Sequence, residues 1–141
     1  MTSKGIEELT DSEMKEIFKK AKNIAVVGLS SKTDRPSYGV AEYLQKKGYK
    51  IYPVNPSESE VLGEKAYPDL KSLPVIPDIV DIFRKTDTVL AVVDEAIEVG
   101  AKFLWFQLGV ANLTSLEKAK NSDITTVFDK CIMVEHRNLG L

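Results

Sequence analysis

The chain has 141 residues, 43% hydrophobic and 28% charged, which suits one globular domain with a sizeable core. A net charge of −2 argues against bulk attraction to nucleic acid or to an anionic membrane, and no apolar run approaches the roughly 20 residues that span a bilayer. One cysteine excludes an internal disulfide, and a single cysteine with a single histidine argues against a zinc site within the chain.

The opening stretch, MTSKGIEELTDSEMKEIF, is acidic and lacks the apolar core of a secretory signal, so the cytoplasm is the default address. Thr10 and Glu13 form a capping-box pattern, and Met14, Ile17, Phe18 and Ala21 share one face. A first helix is expected over about residues 11–22, with a first strand following from Asn23 to Gly28. The chain then passes through a small polar loop and restarts at Arg35-Pro36-Ser37. Pro36 suits the first turn of a helix, where a missing N–H costs nothing. Val40, Tyr43 and Leu44 recur at helical spacing to about Lys47, and Gly48 can cap that helix.

Lys50 to Val54 reads as strand two, ended by Asn55-Pro56. Ser57 to Tyr67 reads as a loop with room for a short hairpin, and Asp69 to Leu73 as one helical turn. Strand three is DIVDIF, Asp78 to Phe83, and helix three runs from Thr86 to Val99, closed by Gly100. Lys102 to Gln107 is strand four. Asn112 caps a fourth helix to about Lys120, and Ile124 to Phe128 is strand five. The tail CIMVEHRNLGL has the makings of a final turn or short helix.

Alternating strands and helices predict an α/β fold: a Rossmann-like, doubly wound parallel sheet of five strands in the order 3-2-1-4-5. Residues 1–22 then form an N-terminal helix packed on a single domain of residues 23–141. In such a sheet a ligand sits beyond the carboxyl ends of the strands, where the strand order reverses. The strand-turn-helix at Ala25 to Gly39 aims backbone N–H groups and a helix dipole at one point, which favours phosphate, and Lys32 and Arg35 add charge there. The dinucleotide fingerprint G-x-G-x-x-G is not met: Leu29-Ser30-Ser31 follows Gly28. The ribose-binding acid expected after strand two is replaced by Pro53-Val54-Asn55-Pro56, and a Walker lysine motif is absent.

Five further pieces occur in one order: VVGLS with RPS, PVNP, VDIFR, VDEAIEVGAKFLW and FQLGV. With the tail Asp129-Lys130-Cys131 to Glu135-His136, they resemble the small stand-alone coenzyme A-binding proteins of the YccU type. That family is similar to the CoA-binding domain of the succinyl-CoA synthetase alpha subunit and of nucleoside-diphosphate-forming acyl-CoA synthetases. The resemblance runs from about Asn23 to Arg137. It implies that Gly28, Ser30, Arg35, Ser37 and Tyr38 surround the phosphate-rich part of coenzyme A (CoA), where an arginine fork suits phosphate. It puts Val54, Asn55 and Pro56 along adenine and ribose, Phe83 and Arg84 beside the site, and Gln107 and Gly109 along the pantetheine arm.

Other readings of the same residues stand beside these. Gly28 also suits a purely structural turn, Asn55 a turn before proline, and Tyr38 packing under its helix. Arg35 also suits a solvated surface charge, and Gln107 a role in satisfying loop backbone. Arg84 has Asp81 or Asp87 as surface partners. Trp105 reads as core and His136 as structural. Cys131 is either an inert buried thiol or a thiol that contacts the thiol end of CoA. With no nucleophile elbow, metal cluster or kinase lysine, the expectation is a CoA or acyl-CoA binder without catalysis, acting as carrier, sensor or regulatory subunit. The alternatives are an NAD(P)-dependent oxidoreductase with a modified fingerprint and a protein-interaction module with a vestigial pocket.

Overall fold

The computed structural model describes residues 8–141; the first seven residues of the expected N-terminal segment lie outside the described residues. The first helix, α1 (Asp11–Lys20), starts as the capping box requires: the Glu13 N–H donates to Thr10 Oγ1 at 3.1 Å, and the Thr10 N–H to Glu13 Oε1 at 2.9 Å. The remaining helices are α2 (Pro36–Lys46), α3 (Val89–Val99), α4 (Leu113–Asn121) and α5 (Ile132–Asn138). The strands are β1 (Asn23–Val27), β2 (Lys50–Val54), β3 (Glu60–Val61), β4 (Glu64–Lys65), β5 (Ile79–Ile82), β6 (Phe103–Phe106) and β7 (Thr125–Phe128).

Five of these strands form one parallel sheet in the order β2-β1-β5-β6-β7. The 3-2-1-4-5 pattern is present with one reassignment. Outside β2, Tyr67 makes a parallel bridge to Val54: its N–H donates to the Pro53 carbonyl at 2.9 Å, and the Asn55 N–H donates to its carbonyl at 2.8 Å. Pro68 follows and has no N–H with which to continue the ladder. This bridge holds the outer place that the sequence reading gave to strand three. The DIVDIF strand, β5, instead lies between β1 and β6. It is buried at every position, which suits an interior strand covered on both faces.

Strand residues alternate between two cores. Ile24, Val26, Ile79, Trp105 and Val127 meet α1, α2 and α5 through Phe18, Val40, Leu44 and Ile132. Ala25, Val80, Ile82, Leu104 and Phe106 meet α3 and α4 through Val93, Ala96, Leu116 and Ala119. The loop expected after β2 holds the antiparallel β3-β4 hairpin, turned at Leu62 and Gly63, both with positive φ, as a two-residue hairpin turn requires. Helix α3 starts later than its sequence pattern, at Val89, because Lys85 to Thr88 is spent in a turn: the Thr88 N–H and Oγ1 both donate to the Lys85 carbonyl. Asp69 caps a 3-10 turn, Leu70–Ser72, and the tail forms α5. Among the described residues no helix is long and apolar enough to cross a membrane.

Candidate CoA-binding cleft

The carboxyl ends of β1, β5 and β6 open into a cleft of about 750 Å³ at the point where the strand order reverses. Its floor forms where β1 ends at Gly28, which has φ +89° and donates its N–H to the Val54 carbonyl at 2.8 Å. A Cβ on Gly28 would stand 2.0 Å from the Phe83 carbonyl oxygen, so no other residue fits this backbone approach. The glycine therefore has a structural reason to be there, whatever binds above it.

One wall is the loop into α2. Ser37 is 5% exposed, and its Oγ accepts the Ser30 N–H at 3.1 Å. Ser30 Oγ in turn accepts the Lys32 N–H at 3.1 Å. The Ser31 N–H donates to Glu58 Oε2 at 2.7 Å. Arg35 caps α2 with its backbone only, which leaves its exposed guanidinium uncommitted to the helix end. Pro36 at the first helical position gives the helix its start, as the sequence implies.

The opposite wall joins the ends of β5 and β6 to the start of α5. Gln107 is 6% exposed, and its Oε1 accepts the Ile132 N–H at 3.0 Å, satisfying one orphan donor of α5. Cys131 stands beside it as the residue before that helix, half-buried, on the cleft wall. Phe83, Val110 and Leu108 give the wall an apolar surface, with Leu108 65% exposed. Four cations, Lys32, Arg35, Arg84 and Lys85, line the cleft against one anion, Glu58, in a chain whose net charge is −2. The local field therefore favours an anion, and the apolar walls favour one with a long neutral part.

The cleft gathers ten of the fourteen residues that the sequence sets beside the ligand: Gly28, Ser30, Lys32, Arg35, Ser37, Asn55, Phe83, Arg84, Gln107 and Cys131. Val54 and Pro56 line a neighbouring depression of about 520 Å³ that shares Arg84 with the cleft and carries Asp69, Asp87 and Glu95. Tyr38 packs against the core beneath α2, away from the cleft lining. Gly109 shapes the turn after β6, donating its N–H to Asp129 Oδ1 at 3.1 Å, while its neighbours Leu108 and Val110 face the cleft. The pairing of Arg84 with Asp81 is corrected. Asp81 is fully buried in β5, and neither of its carboxyl oxygens has a hydrogen-bond partner among the described residues.

Asn55 has a role that its place before proline did not reveal. Its Nδ2 donates to the Leu29 carbonyl at 3.0 Å and its Oδ1 accepts the Ser57 N–H at 2.9 Å, stitching the loop after β1 to the loop after β2. Both ends of the amide are committed, which puts Asn55 in the frame of the cleft. Glu58, Ser57 and Lys85 also line the cleft and escaped the sequence reading, while Leu108 and Val110 line it within the Gln107 to Val110 segment expected at the ligand edge. Glu58 carries a usable signal, an acid four residues beyond the end of β2. Lys85 stands next to Arg84, and Leu108 and Val110 fall within the FQLGV piece.

Residues 22–137 match the family described as the CoA binding domain. The chain is 41% identical over 125 residues to the protein YneT of Bacillus subtilis, covering 89% of this chain and 93% of that one. A solved structure of a protein from Pyrococcus horikoshii OT3 superposes with a TM-score of 0.91 at 40% identity, covering 94% of both chains. The alpha subunit of the ADP-forming acetate–CoA ligase II of Pyrococcus furiosus is 36% identical over 90 residues, 63% of this chain but 20% of that subunit. A match over most of the chain, on a Rossmann-like sheet with a cationic cleft at its switch point, identifies the protein as a member of the CoA binding domain family.

Proposed function

We propose that the protein binds CoA or an acyl-CoA in the cleft beyond β1, β5 and β6, and that it does so without chemistry of its own. The observation that carries this reading is the charge of the cleft: Lys32, Arg35, Arg84 and Lys85 line it against the single anion Glu58, in a chain that is acidic as a whole. CoA joins a phosphorylated nucleotide to a long amide arm ending in a thiol, and the cleft offers both cations and the apolar surface of Phe83, Leu108 and Val110. The phosphates lie against Arg35 and the Ser30–Lys32 loop, where a guanidinium fork and backbone N–H groups meet. The depression at Val54 and Pro56 takes the adenine end, and the arm runs past Gln107 toward Cys131. A carrier, sensor or regulatory role follows, in keeping with the cytoplasmic address expected from the sequence.

Native mass spectrometry of freshly purified protein, followed by calorimetric titration with CoA, NAD and pantetheine, tests the reading. Binding of CoA ahead of NAD, with pantetheine alone much weaker, is the expected result. Preference for NAD would favour the oxidoreductase alternative, and no heat with any of the three would sink the proposal.

A further inference from the structure

The anion cup of the cleft is already filled by the chain itself. Ser30, Ser31 and Lys32 offer three successive backbone N–H groups, and each has an acceptor: Ser37 Oγ, Glu58 Oε2 and Ser30 Oγ. Two of these acceptors are neutral hydroxyls. The third is a carboxylate, and at 2.7 Å it makes the shortest of the three contacts. A phosphate arriving at this loop asks for the same N–H group and the same surrounding cations.

Glu58 is held in place by the frame around it. Its N–H donates to the Asn55 carbonyl at 3.2 Å, and the Asn55 side chain ties Ser57 on one side to Leu29 on the other. Those bonds set the loop after β2 against the residue that precedes Ser30. The carboxyl itself stays below the usual carboxylate range, chiefly because the Ser31 N–H holds its ionised form, with Lys32 adding to the effect. It is therefore an anion at neutral pH.

We propose that Glu58 is an internal competitor for the anionic ligand of this cleft, a carboxylate that occupies the Ser31 N–H until a phosphate displaces it. The inference rests on the CoA reading above. Displacement leaves apparent affinity lower than the cup alone provides, by the fraction of molecules in which Glu58 has vacated the loop. It also makes the site selective: a weakly charged anion gains little over the resident carboxylate, whereas a pyrophosphate brings more charge to the same cations.

Calorimetric titration of CoA into the wild type, Glu58→Gln and Glu58→Ala, in one buffer, tests this. Glu58 sits at the surface of a loop, and thermal melts of the three proteins establish that each is folded. Both variants are expected to bind CoA about twofold to fivefold more tightly, the range set by a partly exposed charged contact. Unchanged or weaker binding by Glu58→Gln, with binding by the wild type intact, overturns it and makes Glu58 a shaping or ligand-contacting group instead. No binding by any of the three overturns the CoA reading itself, and this inference with it.

Discussion

The end of β1 passes so close to the end of β5 that a Cβ on Gly28 would stand 2.0 Å from the carbonyl oxygen of Phe83. Backbone, not a flexible side chain, is the obstacle, and Gly28 also has φ +89°, where any other residue is strained. Gly28→Ala is expected to destabilise the fold by about 3 kcal/mol or more, because either β1 or β5 must shift at the centre of the sheet. Urea denaturation measures this. A Gly28→Ala protein with the wild-type midpoint would show that the strand ends part at no cost.

Much of this arrangement is legible in the sequence, and the places where it is not have physical reasons. The bounds of β2 and the capping box of α1 follow from local residues alone, so the expectations meet the structure there. The placement of β5 beside β1 does not, because periodicity says which residues face a core but not which strand lies next to which. Asn55 shows the same limit within the site. Its dipeptide with Pro56 marks a turn, but only the folded chain brings Leu29 within 3.0 Å of its amide. Glu58 was missed for that reason too, since its partner Ser31 lies 27 residues earlier. Trp105 was legible as core: an apolar strand residue is expected to be buried, and its indole N–H donates to the Lys130 carbonyl at 2.8 Å.

Two cations that line the cleft have a control outside its lining. Lys118 pairs with Asp94 between α4 and α3, outside the cleft lining. Arg35→Ala and Arg84→Ala are each expected to weaken CoA binding about tenfold at low salt, and less at high salt, as lost charge contacts to phosphate require. Lys118→Ala is expected to leave affinity unchanged. Titrations at two ionic strengths make the comparison; an equal loss from all three variants would point to net charge rather than to the cleft.

Asp81 sets an upper pH limit on stability. Burial in β5 with no hydrogen-bond partner for either oxygen among the described residues raises its carboxyl well above the usual range. In the unfolded chain the same carboxyl ionises at about pH 4. Its folded value is therefore the higher one, and its contribution is complete below pH 4 and lost as pH rises toward the folded value. The loss amounts to about 1.4 kcal/mol per pH unit across that window. Asp81→Asn removes the ionisation and is expected to flatten this decline. Denaturation midpoints of both proteins from pH 5 to 8 provide the check, and parallel curves would mean that Asp81 is solvated after all.

His136, on α5 and on the same face of the sheet, produces the opposite dependence. Its ring is 2% exposed and stands edge-on to Phe18, Tyr43 and Tyr49. The hydrogen bonds fix its tautomer: the Tyr49 hydroxyl donates to the Phe18 carbonyl at 3.1 Å, so its oxygen accepts from His136 Nε2 at 3.2 Å. Nδ1 is then the acceptor for the Tyr43 hydroxyl, 2.8 Å away. A protonated ring would need a second acceptor where Tyr43 now donates. Burial first, then nearby Lys47, lowers the histidine below its ordinary value of about 6.5. The folded value is the lower one, so this contribution is complete above pH 6.5 and is lost as pH falls below it. His136→Phe keeps an aromatic ring in the cluster but strands the Tyr43 hydroxyl, and is expected to cost about 1–3 kcal/mol at pH 7.5. Its gap from the wild type should narrow toward pH 5, where the wild type loses its advantage. Thermal melts of the two proteins at both pH values measure the gap, and a gap that stays constant would rule out titration of His136 as its source.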